Sequence, residues 1–254
     1  MKFLRYEYQN FVNWGWLLED NIGKIEGNIF GEYRRFEANI PLSEARLLPP
    51  VKPSKIICLG RNYASHAAEH QVDVPEIPLI FLKPPSSLIG HGGKIVLPPQ
   101  SKQVEHEAEL AVIIGKTGRW IDPEKAEEFI FGYTIANDVT ARDLQRFDGQ
   151  WTRGKGFDTF CPVGPFIETD FDSSDALITC KINQQIRQMS STRDMVFPVE
   201  KLIAFISSIM TIEPGDLILT GTPAGVGQLK TDDQIEIEIE GIGRLENIVV
   251  SKDG

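Results

Sequence analysis

Three glutamates spaced by two residues open an apolar run in the middle of the chain. Glu105, Glu107 and Glu109 stand in VEHEAELAVIIG at 104–115. The run is rich in β-branched and aliphatic residues and ends at a glycine, which is typical of a buried strand. Because strand side chains alternate between faces, the three carboxylates would point the same way and repel one another. A hard divalent cation, which takes oxygen ligands, would neutralise Glu107 and Glu109 away from bulk water.

A further carboxylate, Asp138, lies in a second apolar run, FGYTIANDVTARD at 131–143. It strengthens the interpretation of Glu107 and Glu109 as part of a cation site, because a hard ion takes several oxygen ligands. Oxygen donors predict Mg²⁺ or Mn²⁺ and exclude the softer thiolate-type sites. A solvated acidic strand edge is the alternative, and for an isolated E-x-E pattern it is the commoner one.

Acid–base chemistry is suggested by two further positions. The segment RNYASHAAEHQ at 61–71 has helical propensity, so His66 and Glu69 would share a helical face within hydrogen-bonding distance. From the residues alone, a surface helix with a chance pair is the favoured interpretation, and His70 is interpreted as exposed. Lys155 has a glycine on each side, which allows a tight turn that directs its ammonium inward.

Three further polar side chains lie in segments whose local structure can be inferred from the sequence. Arg142 and Gln145 are three residues apart and share a face if TARDLQ is helical. Arg142 could equally pair with Asp143 or Asp148 in a surface salt bridge of little consequence. Thr222 lies in the glycine-bearing loop that ends EPGDLILTGTPAGVG at 213–227. Its hydroxyl and the loop N–H groups suit a carboxylate, and the loop lacks the GKS or GKT of a P-loop.

Six sequence blocks follow one another in order between about Lys55 and the C-terminus. They are GRNYASH at 60–66, FLKP at 81–84, EHEAELAVIIG at 105–115, NDVTARD at 137–143, KGFDTFCPVGP at 155–165 and PGDLILTGTPAGVG at 214–227. In this order and spacing, the blocks resemble the fumarylacetoacetate hydrolase family of metal-dependent enzymes.

The resemblance assigns roles to the candidate residues. It implies that Glu107 and Glu109 are metal ligands, with Asp138 as the third. It also implies that His66 and Glu69 form a catalytic pair and that Lys155 is an active-site lysine, with Arg142 and Gln145 near the substrate. The implied fold is mainly β with some α, a mixed β-sandwich or β-roll with a smaller N-terminal domain, assembled as a homodimer.

The groups together predict cleavage of a C–C bond in a 3-acylpyruvate-type 2-oxo acid. The metal would act as a Lewis acid that stabilises an enolate, and His66, oriented by Glu69, would activate water. Lys155 would neutralise developing charge, and the products would be pyruvate and a carboxylic acid. Oxaloacetate decarboxylation and enol–keto tautomerisation or isomerisation of a 2-hydroxy-dienoate reach the same enolate and are alternatives. A non-catalytic metal-binding ligand sensor is disfavoured, because His66, Glu69 and Lys155 are all present.

The N-terminal part is much shorter than that of the larger family members. The additional upstream metal-binding aspartate of those members has no identifiable counterpart, so a shorter acylpyruvate or oxaloacetate is expected in place of fumarylacetoacetate. Residues 1–50 are predicted to form a small β-meander with a proline-rich linker, and 51–254 the catalytic domain. Residues 71–104 are rich in Pro and Gly and are expected to be a long, weakly structured loop.

Other elements are expected to position the site. A helix should begin with Asp122 as N-cap and Pro123 at its first position. FPVEKLIAFISSIM at 197–210 is an amphipathic helix, and ALITCKINQQIRQ should form a hairpin about Asn183 and Gln184. The alternating DDQIEIEIEGIGRLENIVV near the C-terminus predicts a hairpin with one solvated acidic face.

The amino-acid composition limits which classes of binding partner and which cellular compartment are expected. The formal net charge of −10 over 254 residues gives no electrostatic reason to expect nucleic acid or an anionic membrane. An anionic substrate would need local cations, from a metal and from whichever of Lys83, Arg142 and Lys155 reach the site. Three cysteines without C-x-x-C spacing suit free thiols in a reducing compartment. With no signal peptide and no apolar run long enough to span a bilayer, a cytoplasmic protein is expected.

Overall fold

The computed structural model describes residues 1–252, and strands dominate that range. In chain order the strands are β1 (Lys2–Tyr8), β2 (Phe11–Leu18), β3 (Asn21–Gly27), β4 (Tyr33–Pro41), β5 (Arg46–Leu48), β6 (Ile56–Gly60), β7 (Leu79–Lys83), β8 (Leu88–Ile89), β9 (Lys94–Leu97), β10 (Val104–His106), β11 (Ala108–Ile114), β12 (Ile130–Asn137), β13 (Thr140–Ala141), β14 (Cys161–Glu168), β15 (Leu177–Ile182), β16 (Gln185–Ser191), β17 (Leu217–Leu219), β18 (Gly227–Gln228), β19 (Gln234–Ile239) and β20 (Gly243–Ser251). The α-helices are α1 (Ala64–Glu69), α2 (Arg142–Asp148), α3 (Thr152–Lys155) and α4 (Val199–Ile209). The prediction of a mainly β fold with some α is confirmed.

The strands form three sheets. The largest has twelve strands and the order β4-β3-β2-β1-β14-β12-β11-β17-β6-β7, with β5 beside β1 and β8 beside β14. A five-stranded sheet has the order β16-β15-β19-β20-β9, and a small sheet joins β13, β10 and β18. Most pairs are antiparallel, whereas β17 and β6 are parallel. This is the mixed β architecture that the resemblance implied.

The N-terminal meander is part of the largest sheet. Strands β1 to β4 pair with their sequence neighbours, as expected, and β1 also pairs with β14 through Phe3 and Ile167. The segment expected to be a linker differs from the prediction, because Arg46–Leu48 pairs with β1. These residues lie between Pro41 and Pro49, so their N–H groups remain free to join a ladder.

Strand β11 lies at the centre of the large sheet and is buried over its whole length. It has β12 on one side and β17 on the other. Leu110 and Val112 pack into one hydrophobic cluster, whereas Ala111 and Ile113, on the opposite face, pack into another. Burial on both faces explains why the sequence shows a continuous apolar run here. Glu109 is therefore held on one of the most protected strands of the chain.

Several local predictions are confirmed. Strands β15 and β16 form the expected hairpin, and Asn183 and Gln184 both have positive φ, as a tight two-residue turn requires. Strands β19 and β20 form the C-terminal hairpin with the isoleucines of β19 buried and its glutamates on the open face. Helix α4 buries Leu202, Ile203 and Ile206 against the main core, in agreement with its amphipathic sequence.

Two local predictions differ from the structure. The segment Pro123–Phe129 is a 3₁₀-helix, and Asp122 stands at its N-cap position without a capping hydrogen bond from its side chain. Residues 71–104 are not a long unstructured loop, because they contain β7, β8 and β9, and β7 pairs with β6 along its length. The prolines and glycines lie mainly between these short strands, where they end each one.

The cysteines are free and buried, as the sequence suggested. Burial raises the pKa of the Cys161 and Cys180 thiols to about 12, so both are protonated at neutral pH. Among residues 1–252, no helix is long and apolar enough to cross a membrane.

Candidate metal and catalytic site

Three buried carboxylates converge where β11 and β12 meet. Glu109 lies on β11, Glu107 lies between β10 and β11, and Asp138 directly follows β12. The Asp138 N–H donates to the Glu107 carbonyl at 2.9 Å, and this bond holds the two strand ends together. One oxygen from each carboxylate lies within 4.8 Å of the others, and each residue is at most 4% exposed. The donor set is therefore all oxygen, and it fits a hard divalent ion.

Three buried cations surround these carboxylates. Lys83 from β7 donates to Asp138 Oδ1 at 2.6 Å. Lys155 donates to Glu107 Oε2 and to Asp138 Oδ2, both at 2.7 Å. Arg142 donates to Glu107 and also to Glu105 at 2.7 Å. All three of the cations named from the sequence thus reach the site, and they allow several anions to be buried together.

The surroundings of Glu107 and Glu109 shift the pKa values of these two carboxyl groups in opposite directions. Burial opposes ionisation of Glu107, but Lys155 and Arg142 outweigh it and hold the pKa of that carboxyl well below its usual range. Burial, Asp138 and Glu107 raise the pKa of Glu109 well above its usual range. Glu109 accepts one hydrogen bond, from the Gly221 N–H at 2.7 Å, and no ion pair to it forms among residues 1–252. A bound divalent cation would favour the ionised form of Glu109, so the three residues fit a metal.

The Gly221 N–H reaches Glu109 because that position has no side chain. Its φ is +97°, and a Cβ there would lie 2.8 Å from the Cβ of Asn62. Both facts favour glycine over any other residue at this position.

The predicted pair His66 and Glu69 lies on α1. His66 Nδ1 is 3.4 Å from Glu69 Oε2, a separation within ion-pair range that does not form a hydrogen bond. Burial lowers the pKa of His66, and Glu107 partly offsets this effect, so the imidazole is neutral at pH 7 and can accept a proton. The Glu69 carboxylate accepts from the Gly225 N–H at 3.1 Å, which links α1 to the loop after β17. His70 was interpreted as exposed, but it is partly buried and its ring meets His66 edge-on.

Arg142 and Gln145 are both buried on α2. The surface salt bridge considered for Arg142 is wrong. Arg142 donates to the carboxylates of Glu105 and Glu107 and to the side-chain oxygen Oε1 of Gln145, the last at 2.6 Å. Its two alternative partners are engaged elsewhere, Asp143 with Ser101 and the Lys102 N–H, and Asp148 with Arg153. The sequence left these alternatives open because it does not show which face of α2 is covered.

The Thr222 hydroxyl was predicted to bind a substrate carboxylate, but it forms hydrogen bonds within the protein. Its hydroxyl donates to the Ala108 carbonyl at 2.9 Å and accepts from Gln188 at 2.8 Å. Two N–H groups of its loop donate to carboxylates of the chain itself, Gly221 to Glu109 and Gly225 to Glu69. The loop therefore orients protein side chains, and a substrate would meet Thr222 only at the cavity wall.

One cavity of about 310 Å³ connects these groups. Seven of the nine predicted site residues line it, and Glu69 and Asp138 are not among them: the lining residues are His66, Glu107, Glu109, Arg142, Gln145, Lys155 and Thr222. The geometry thus brings a neutral imidazole, a lysine ammonium and an acidic metal site to the same small space. That combination suits proton transfer on a small anionic substrate.

Two protein-family models match this chain. The family model described as "Fumarylacetoacetate (FAA) hydrolase C-terminal" matches residues 55–250, and one described as "Rv2993c-like, N-terminal" matches 1–50. The chain belongs to the fumarylacetoacetate hydrolase family. It is therefore a member of a family of metal-dependent enzymes, as its six sequence blocks indicated.

Three proteins similar to this chain are named for the reactions that they catalyse. The mitochondrial oxaloacetate tautomerase Fahd2a of Rattus norvegicus is 46% identical over 223 residues, which are 83% of this chain and 71% of that protein. The structure of 5-carboxymethyl-2-hydroxymuconate delta-isomerase from Mycobacterium smegmatis matches with a TM-score of 0.93 and 44% identity, over 99% of this chain and 100% of that one. Maleylpyruvate hydrolase from Sphingobium, solved with manganese(II) and pyruvate, matches with a TM-score of 0.82 and 33% identity, over 99% of each chain.

Some lining residues of this family member were not found from the sequence. Arg61, Arg146 and Trp151 line the cavity without having been predicted. Arg61 directly follows the buried β6 and has a φ of 62°, so its position at a strand end was the available signal. Trp151 comes close to Gly60, where a Cβ would lie 2.7 Å from its ring. Such contacts between distant segments leave no pattern in a single sequence.

Proposed function

We propose that the chain catalyses keto–enol interconversion of a short 2-oxo dicarboxylate such as oxaloacetate. The observation that carries the proposal is the neutral, buried His66, which shares a small cavity with the three-carboxylate site and with Lys155. The 46% identity to an oxaloacetate tautomerase and the 44% identity to an isomerase of a hydroxymuconate support it.

Two guanidinium groups support a dicarboxylate. Arg61 and Arg146 line the cavity, and neither forms an ion pair within residues 1–252. A substrate with a second carboxylate would complement them, whereas a neutral acyl tail would make no use of their charge. The volume of about 310 Å³ suits a small acid.

The chain's own residues account for the proton movement. His66 takes a proton from C3 of the 2-oxo acid, and the C3–H electron pair moves to form the C2–C3 double bond of an enolate. Return of that proton to the C2 oxygen gives the enol, and the reverse sequence gives the keto acid. Glu69 lies beside the imidazole and stabilises its protonated form, while Lys155 lies across the cavity and offsets negative charge on the substrate. A divalent ion held by Glu107, Glu109 and Asp138 would supply Lewis-acid stabilisation of that charge.

Hydrolysis of a 3-acylpyruvate is the second candidate. The same His66 could instead take a proton from water, which would attack the distal acyl carbonyl and release pyruvate and a carboxylic acid. The observation that favours it is the likeness to a maleylpyruvate hydrolase solved with pyruvate. Decarboxylation of oxaloacetate would also yield pyruvate, and it requires no attacking water.

One panel of assays separates these reactions. Enol oxaloacetate is followed by its ultraviolet absorbance, and pyruvate release is measured from oxaloacetate and from a set of acylpyruvates, with Mg²⁺, with Mn²⁺ and with chelator. The proposal expects metal-dependent loss of the enol faster than the spontaneous reaction, without matching pyruvate release. Pyruvate from an acylpyruvate, with no effect on the enol, would favour the hydrolase and contradict the proposal.

Replacement of His66 tests the role given to it. His66→Ala should lower tautomerisation or hydrolysis by roughly 10² to 10⁴, the usual contribution of a positioned base, while decarboxylation falls much less. Asp138→Ala should remove every one of these activities. Equal losses of tautomerase and decarboxylase activity in His66→Ala, with fold and metal content intact, would show that His66 does not act as this base. The homodimer remains a prediction, which light scattering on the purified chain would test.

A further inference from the structure

A second group of potential metal ligands lies on α1 and on His70, the residue that directly follows it, apart from the three carboxylates. His66, Glu69 and His70 each present one ligand atom, and these atoms lie within 4.8 Å of one another. His66 and His70 are one helical turn apart, and the His70 N–H donates to the His66 carbonyl at 3.3 Å. Because residues four apart share a helical face, both imidazoles lie on the same side of α1.

The two imidazoles have nitrogen atoms without partners. His66 Nδ1 and His70 Nε2 are both buried and accept or donate no hydrogen bond. His66 is only 7% exposed. A buried polar atom without a partner is costly, and a structure seldom keeps two of them side by side without a use. A cation bound between the rings would satisfy both nitrogens.

The third donor is already held in place. The Glu69 carboxylate lies beside His66 Nδ1 and accepts from the Gly225 N–H, at 3.1 Å to one oxygen and 3.3 Å to the other. A hydrogen bond of this kind is what fixes the orientation of a ligating carboxylate in known metal sites. Glu69 is also partly exposed, so an ion could reach it from solvent.

The donor types select a different metal from the first site. Two imidazoles and one carboxylate form the ligand set of many zinc sites, which leave a fourth position open. Mg²⁺ prefers oxygen donors and would remain with Glu107, Glu109 and Asp138. We propose that His66, Glu69 and His70 form a second cation site for Zn²⁺ or a similar transition metal at the mouth of the catalytic cavity.

Occupancy of this site would change what His66 can do. A neutral imidazole has one nitrogen lone pair that can accept a proton, and donating that lone pair to Zn²⁺ leaves none, so the ring no longer serves as a proton acceptor. Zn²⁺ at the second site should therefore inhibit an enzyme that is saturated with Mg²⁺ at the first. The inhibition rests on the proposed role of His66, whereas the binding does not.

Calorimetric titration with Zn²⁺ in excess Mg²⁺ tests the binding directly. The wild-type chain, His70→Gln and His91→Gln are compared, since His91 lies outside the proposed ligand group, accepts from the Glu246 N–H and controls for the loss of a histidine elsewhere in the chain. Changes outside the first ligand shell commonly cost 10- to 100-fold in metal affinity, so loss of a ligand in His70→Gln should weaken binding by at least about 10-fold. His91→Gln should bind like the wild type.

Two further measurements distinguish the possible failures. Co²⁺ should give intense visible absorption in the wild type, as nitrogen-ligated ions of low coordination number do, and the band should be absent in His70→Gln. Zinc inhibition is read for each variant relative to its own rate without zinc. Undiminished zinc affinity in His70→Gln, or zinc binding lost in Glu109→Gln but kept in His70→Gln, overturns the second site. Zinc binding with the expected variant pattern but without inhibition would keep the site and reject the role given to His66.

Discussion

Lys83 offers a strict test of how the buried charges at the site are balanced. Its ammonium is 2.6 Å from Asp138 Oδ1 and 3.1 Å from the Val139 carbonyl, and the residue is 1% exposed. Lys83→Met keeps an unbranched side chain that is one atom shorter, and it removes the charge. Asp138 then keeps Lys155 as its remaining cationic partner, while Glu107 shares that same lysine.

The expected loss in the free energy of unfolding follows from the burial of the Lys83–Asp138 ion pair. Removing one partner of a buried ion pair costs about 3–5 kcal/mol, because the other charge is left without compensation. Since Lys155 still contacts Asp138, we expect Lys83→Met to lie near the lower limit, about 3 kcal/mol in the free energy of unfolding. Lys181→Met is the matched control, since Lys181 pairs with Glu236 at the same 2.6 Å but both side chains are 26–30% exposed. That loss should not exceed about 1 kcal/mol.

Urea unfolding in chelator gives both values, and repeating it with Mg²⁺ gives a second comparison. A divalent ion binds the folded state and stabilises it by about 2.7 kcal/mol at one hundred times its dissociation constant. It also supplies positive charge beside Asp138, so the deficit of Lys83→Met should shrink when Mg²⁺ is present. Equal losses for the two lysine variants in chelator would refute the argument that burial decides the cost. A deficit unchanged by Mg²⁺ would show that the ion does not bind beside Asp138.

Three other predictions concern the carboxylates and His66. Chelation should lower the melting temperature of the wild type, because Glu107, Glu109 and Asp138 then repel one another, and an unchanged value would argue against a shared ion. Glu107→Gln should weaken Mg²⁺ binding in a calorimetric titration far more than Glu105→Gln, because Glu105 pairs with Arg142 and is not one of the three clustered carboxylates. Equal losses of affinity would show that the metal ligands are assigned to the wrong glutamates. Burial lowers the pKa of His66, so its neutral form persists below the ordinary histidine value of about 6.5, and kcat/KM should fall only as pH drops beneath that value. An acid limb centred above it would show that another group acts as the base.

Local elements explain part of what the sequence predicted about the site. Strand and helix periodicity placed Glu107 with Glu109 and His66 with Glu69, whereas their roles as metal ligands and as a catalytic pair came from the resemblance to the family. What the sequence did not reveal are contacts between segments far apart in the chain. Thr222 donates a hydrogen bond to the Ala108 carbonyl, and Arg142 donates one to Glu105. Both bonds depend on how strands β10 and β11, helix α2 and the loop after β17 pack together. The burial of His70 was missed for the same reason, because local exposure depends on what covers α1.

The pairing of β1 with β14 has a consequence for attempts to shorten the protein. The two family models divide the chain near residue 50, which invites expression of 55–250 alone. Strand β14 is buried along nearly its whole length, and β1 pairs with its C-terminal end, where Lys2 and Phe3 lie opposite Glu168 and Ile167, while β8 pairs with its first residues. Deleting the first fifty residues would leave the C-terminal end of β14 as an open edge with unpaired N–H and C=O groups, and it would uncover the apolar cluster that Phe3 shares with Ile167. Such an edge recruits other strands, so the truncated chain should aggregate through β14 even though every residue of the site is still present.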